Sequence, residues 1–105
     1  MGNSSSCIGT EFKISVSMEP IEGQTLSELD FNAEVYTDRS GKRKTYEKAD
    51  CIKLDNDTYV VAVDSSEIGA GRYFIKVTVF IPDTHFLDGF RKDVSTFFSG
   101  KEILP

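Results

Sequence analysis

The chain has 105 residues, of which 39% are hydrophobic and 28% charged, with a net charge of −5. That length sets one domain of ordinary size with one modest core, and the composition excludes disorder along the whole chain. The acidic balance disfavours attraction to nucleic-acid phosphates, and no apolar run approaches the roughly 18 residues that span a bilayer, so neither nucleic acid nor membrane is an expected partner.

Residues 1–9, MGNSSSCIG, read as a flexible N-terminal arm ahead of a single β-sandwich domain over residues 10–105. The arm lacks the apolar core of a signal peptide. Met1-Gly2-Asn3-Ser4-Ser5-Ser6 matches the myristoylation pattern M-G-x-x-x-[ST], but so short a motif recurs by accident and the plainer reading is a solvated arm. Cys7 and Cys51 lack the paired spacing of a metal motif and are expected as free thiols.

From residue 12 onward several segments alternate with period two, as strands with one buried face do. Phe12, Ile14, Val16 and Met18 face one way, until Pro20 ends the ladder. Leu29, Phe31, Ala33 and Val35 repeat the pattern against Asp30, Asn32, Glu34 and Tyr36. The turn at residues 38–42 has hairpin chemistry, with Gly41 free to take positive φ. Its basic flank, Arg39, Lys42, Arg43, Lys44 and Lys48, is read as a solvated edge rather than a phosphate site. Asp55-Asn56-Asp57 separates two β-rich runs and is a tight turn first, lacking the rest of a calcium loop.

Residues 65–68 suggest a short helical turn capped by Ser65 and closed by Gly69 and Gly71. The longest strand follows, with Tyr73, Ile75, Val77, Val79 and Ile81 on a core face. Phe74, Lys76, Thr78 and Phe80 lie on the other, where two aromatics imply a second buried layer or a docking surface. Pro82 closes the strand. A loop follows, then a strand over residues 91–98 and a short last one in the tail. The fold class expected is all-β, an immunoglobulin-like antiparallel β-sandwich of about seven strands. With no tryptophan and no Cys…Trp…Cys spacing, it is not a true immunoglobulin domain.

Chemistry is sparse. His85 is the only histidine, with Asp83 two residues away, and no G-x-S-x-G elbow marks an activated serine. No catalytic residue, cofactor-binding residue or metal ligand is assigned, and an enzyme is not expected. The loop at residues 83–91 reads as an ordered corner. Phe86 and Phe90 tuck into the end of the sandwich, Asp88-Gly89 makes a turn, and the Asp83 or Asp88 carboxylate accepts from Arg91 or from loop N–H groups.

The sequence resembles a known group in Glu11-Phe12-Lys13-Ile14, the amphipathic strand Asp30 to Tyr36, Tyr59-Val60-Val61-Ala62-Val63-Asp64, Gly69-Ala70-Gly71-Arg72-Tyr73 and Ile81-Pro82-Asp83…Asp88-Gly89-Phe90-Arg91. That group is the small β-sandwich structural proteins of phages and prophages of Bacteroides-type bacteria. It is more distantly similar to the N-terminal domain of upper baseplate proteins in phages of Gram-positive bacteria. The resemblance spans residues 10–98 and departs mildly at Leu87, where the pattern has proline, and after Arg91, where the pattern's acidic residue falls here at Asp93. It implies a non-enzymatic virion module, an adaptor or a head or tail fibre component, that contacts other virion proteins and assembles as a homo-oligomer. The partner-binding residues expected are Phe74, Phe80, Asp83, Phe86, Asp88, Phe90 and Arg91, and the arm over residues 2–7 is expected to order on docking. The alternative is a carbohydrate- or calcium-binding sandwich using the Asp83/Asp88 loop, and the weakest reading is a hydrolase using His85.

Overall fold

The computed structural model describes residues 4–105. Met1, Gly2 and Asn3, and with them the start of the myristoylation pattern, lie outside the described residues. Among the described residues eight strands run in chain order: β1 (Ser4–Cys7), β2 (Glu11–Ser17), β3 (Asp30–Thr37), β4 (Arg43–Glu47), β5 (Ile52–Lys53), β6 (Thr58–Asp64), β7 (Gly71–Pro82) and β8 (Phe90–Leu104). A 3₁₀ turn, Lys48–Asp50, follows β4, and a single helical turn, α1 (Ser65–Ile68), joins β6 to β7. The strands form two sheets, β1-β8-β7-β3-β4 and β2-β6-β5, packed as an all-β sandwich.

Alternation explains the faces. In β7 every second residue from Tyr73 to Ile81 is buried, and in β3 Phe31, Ala33 and Val35 are completely so. They meet Ile14, Val16, Tyr59, Val61 and Val63 from the smaller sheet. Two edge-to-face aromatic pairs bridge the layers, Phe12–Tyr73 at 5.0 Å and Phe31–Tyr59 at 5.1 Å between centroids. Such pairs add about 0.5–1.5 kcal/mol each beyond the area they bury. Leu26, in the β2–β3 connection, is also completely buried, and the Lys48 ammonium holds that connection by donating to the Ser27 and Leu29 carbonyls at 2.7 and 2.6 Å.

The crossing from β6 to β7 is tightly built. Asp64, not Ser65, caps α1, its carboxylate accepting from the Ser66 N–H. Ser65 is buried instead and accepts from the Gly9 N–H at 2.9 Å. The Tyr73 hydroxyl, inside the sandwich, donates to the Gly69 carbonyl at 2.6 Å. Gly71 sits at φ +130°, where an added Cβ would lie 2.7 Å from an Asp38 carboxylate oxygen and 3.0 Å from Thr37 Cβ. That same Asp38 oxygen accepts from the Arg72 N–H, so it cannot retreat without breaking a bond.

Two expectations change. Ser4–Cys7 is a strand paired in parallel with the end of β8, from Ser4 opposite Lys101 to Cys7 opposite Leu104. Polar residues suffice there because an edge strand is held by backbone hydrogen bonds. The tail, too, is no separate strand, since β8 runs unbroken to Leu104. Opposite Tyr73 the register shifts, with Gly100 at φ +86° and the Ser99 hydroxyl donating to the Tyr73 carbonyl. Gly100 marks a bulge within β8, not its end.

Replacing Gly71 with alanine is expected to cost more than about 1 kcal/mol, read as a fall in Tm of more than about 4 °C; an unchanged Tm would show that the corner yields freely. Tyr73→Phe strips the Gly69 carbonyl of its donor and is expected to cost about 1–3 kcal/mol. Burial pushes the Tyr73 phenol up to about 12, above its unfolded value of about 10. Wild-type stability therefore holds below about pH 10 and falls as the pH rises toward about 12. Urea midpoints across that range should fall less steeply in the phenylalanine variant; equal slopes would contradict this role.

Candidate functional site

The outer face of the five-stranded sheet carries an aromatic ladder. Strand pairing sets Tyr36 of β3 opposite Phe74 of β7, and Phe74 opposite Phe98 of β8. Tyr36 and Phe74 stack at 5.9 Å, Phe74 and Phe98 tilt together at 5.4 Å, and the Arg43 guanidinium lies 4.7 Å from the Tyr36 ring centroid. Arg43 is fixed in turn by Glu34 at 2.6 Å. The row runs across the sheet from its β4 edge to β8 and ends in a half-exposed phenylalanine.

The predicted partner-binding residues divide between this face and the β7–β8 loop. Phe74 is the middle of the ladder. Phe80 lies six residues along the same face, half-buried between Asp30 of β3 and Lys92 of β8. Phe90, opposite Pro82, points to that face as well. Phe86 and Phe90 do not tuck into the sandwich: they are 49% and 42% exposed, and Leu87 beside them is fully exposed. The cause is length. β7 and β8 have 12 and 15 residues against seven in β2 and β6. At about 3.4 Å per residue the hairpin outruns the smaller sheet, and no second layer meets its tip.

The loop itself is an ordered corner, as its aspartates suggest. Asp83 accepts from the His85 N–H at 3.0 Å and Asp88 from the Phe90 N–H at 3.1 Å. The Gly89 carbonyl accepts from the Asp83 N–H, and Gly89 takes φ +80°. Arg91 reaches back to Asp83 at 3.7 Å and to Glu22 in the β2–β3 connection at 3.0 Å. The hydrogen bonds from His85, backbone first, hold the Asp83 carboxyl below its ordinary range. Asp83 and Arg91 thus brace the corner. His85 is 92% exposed and contacts Asp83 through Nδ1. Among the described residues no group of three or more His, Cys, Asp or Glu side chains is placed to hold a metal ion.

Most of the basic flank is also engaged. Lys44 pairs with Glu67, Arg43 with Glu34, and Lys48 with loop carbonyls. Cys7 and Cys51 are free thiols, and partial burial pushes the Cys51 thiol up.

Sequence reading missed two features. Phe98 is the outer rung of the ladder, yet only the register Phe74↔Phe98 reveals it. The second is a seam where the sheets part, between β2 and the first two-thirds of β8. Val16, Met18, Leu26, Val77, Val79 and Phe97, with Ser17, Asp93 and Ser95, line a hollow there of about 80 Å³. It is too small for a cofactor or drug-sized ligand, which needs about 300 Å³ or more. No family model matches the chain, and no curated protein or solved structure matches it either.

Proposed function

We propose that this protein is a non-enzymatic contact module that binds other proteins through the outer face of its five-stranded sheet and the adjoining hairpin tip. The observation that carries the reading is the Arg43–Tyr36–Phe74–Phe98 row, whose rings already pack on one another. Aromatics and arginine dominate the energetic centres of protein interfaces, and rings already stacked lose little freedom on binding. The exposed Phe86, Leu87 and Phe90 extend the apolar surface toward the tip.

The strand order supports an immunoglobulin-like reading of the sandwich. The order β8-β7-β3-β4 over β2-β6-β5 follows the G-F-C-C′ and B-E-D sheets of that topology. The Tyr73 hydroxyl, returned to a carbonyl four residues upstream at the start of the strand in the F position, corresponds to the tyrosine corner of such domains. The virion setting rests on the sequence resemblance, which supplies other virion proteins as the partners and the particle as the location.

Purified particles from a strain carrying the gene are expected to contain the protein at fixed copy number, quantified by mass spectrometry. Its absence from particles would overturn the virion setting. A Tyr36→Ala/Phe74→Ala variant with native circular dichroism is expected to bind its particle partner roughly 30-fold more weakly, the scale of one interface hot spot. Unchanged incorporation would overturn the role of this face.

A further inference from the structure

Among the described residues the outer sheet has one long edge that no strand of its own chain covers. β1 covers β8 only from Lys101 to Leu104, so among the described residues the 90–98 segment is hydrogen-bonded to β7 on one side and to no strand on the other. The opposite edge of the same sheet, β4, is short and carries Arg43, Lys44 and Glu47, the charged side chains that guard edges against pairing. Residues 90–98 are guarded far less. Phe90, Val94, Phe97 and Phe98 are 42%, 50%, 39% and 37% exposed.

The segment reads Phe-Arg-Lys-Asp-Val-Ser-Thr-Phe-Phe, and its outward positions, Phe90, Lys92, Val94, Thr96 and Phe98, form a near-palindrome. Directly opposed residues in an antiparallel pair share a face, so the segment can pair with itself only about a residue, not between two. Centring on Lys92 or Asp93 would oppose like charges, which is destabilising. Centring on Ser95 would set Phe98 against Lys92. Centring on Val94 opposes Val94 to itself, Phe90 to Phe98, Lys92 to Thr96, Asp93 to Ser95 and Arg91 to Phe97. The last three put a hydroxyl beside an ammonium, a hydroxyl beside a carboxylate and a guanidinium beside a ring.

We propose that residues 90–98 of β8 pair antiparallel with the same segment of a second copy about a two-fold axis at Val94, fusing two five-stranded sheets into one continuous sheet. The proposal rests on the contact-module reading and deepens it by naming one partner. The pairing would satisfy the open backbone groups of the edge. It would also set Phe90 of one copy beside Phe98 of the other, so that the aromatic ladder runs on across the axis. The window stops three residues short of Lys101, where β1 begins, and β1 leaves it free.

Sedimentation equilibrium is expected to show a concentration-dependent dimer. In a Cys7→Ser/Cys51→Ser background, Val94→Cys is expected to form a disulfide-linked dimer on mild oxidation. The opposed Cα atoms at the axis would be about 4.5–5.5 Å apart, within disulfide reach. Thr96→Cys, displaced from the axis, is expected not to. Val94→Lys places two lysines against each other and is expected to weaken the dimer by roughly an order of magnitude, with unchanged circular dichroism because Val94 is half exposed. A monomer at every concentration, equal cross-linking of both cysteine variants, or a dimer indifferent to Val94→Lys would each overturn the proposal. Particle incorporation is read separately, so a monomeric protein that still enters particles would refute the dimer while leaving the contact role standing.

Discussion

Tyr73 is completely buried where the chain passes from β6 in one sheet to β7 in the other, and its hydroxyl is held by the Gly69 carbonyl four residues back. A phenol in that position must find an acceptor or lose its hydrogen bond to water without return. The acceptor exists only because Gly69 and Gly71 take backbone conformations closed to other residues, at φ +108° and +130°. The ring then meets Phe12 edge-on across the sandwich. One side chain therefore fixes the corner, the spacing of the layers and the phase of β7, from which the registers of β3 and β8 follow.

That phase also sets the outer face. With Tyr73 inward, Phe74 is outward, and pairing on either side aligns it with Tyr36 and Phe98. A one-residue slip would turn the aromatic row into the core and Ile75 out to solvent. The proposed contact surface is thus a by-product of the core register, and the glycines that permit the corner also set the ladder. The bulge at Gly100 serves the same strand differently. Beyond it β8 pairs with β1, and among the described residues no strand covers the earlier part of that edge.

Period-two alternation made the faces of β2, β3 and β7 legible, and residues such as Gly41 and Asp55-Asn56-Asp57 marked hairpins where they occur. Those signals are local. What stayed hidden depends on partners distant in sequence. Ser4–Cys7 has no apolar alternation, and its strand exists only because the β8 backbone accepts it. Leu26 sits in a polar connection and is buried because it packs into the core cluster beside the seam between the sheets. Phe86 and Phe90 carry the composition of core residues, but a hairpin longer than the sheet opposite leaves them exposed. The loop aspartates were readable as turn formers because Asx turns are local. The ladder was half readable: the outward phase of Tyr36 and Phe74 is in the sequence, but their being neighbours is not.

β1 closes the end of β8, and the proposed dimer would use the part of the same edge that comes before it. Amide hydrogen exchange along β8 over a dilution series tests this most directly. Residues 101–104 should stay protected at every concentration, because β1 covers them within one chain. Alternate amides among residues 90–98, those pointing away from β7, should be protected only when the protein is concentrated and should exchange freely on dilution. Rapid exchange of those edge amides at all concentrations, or protection that survives full dilution, would contradict it.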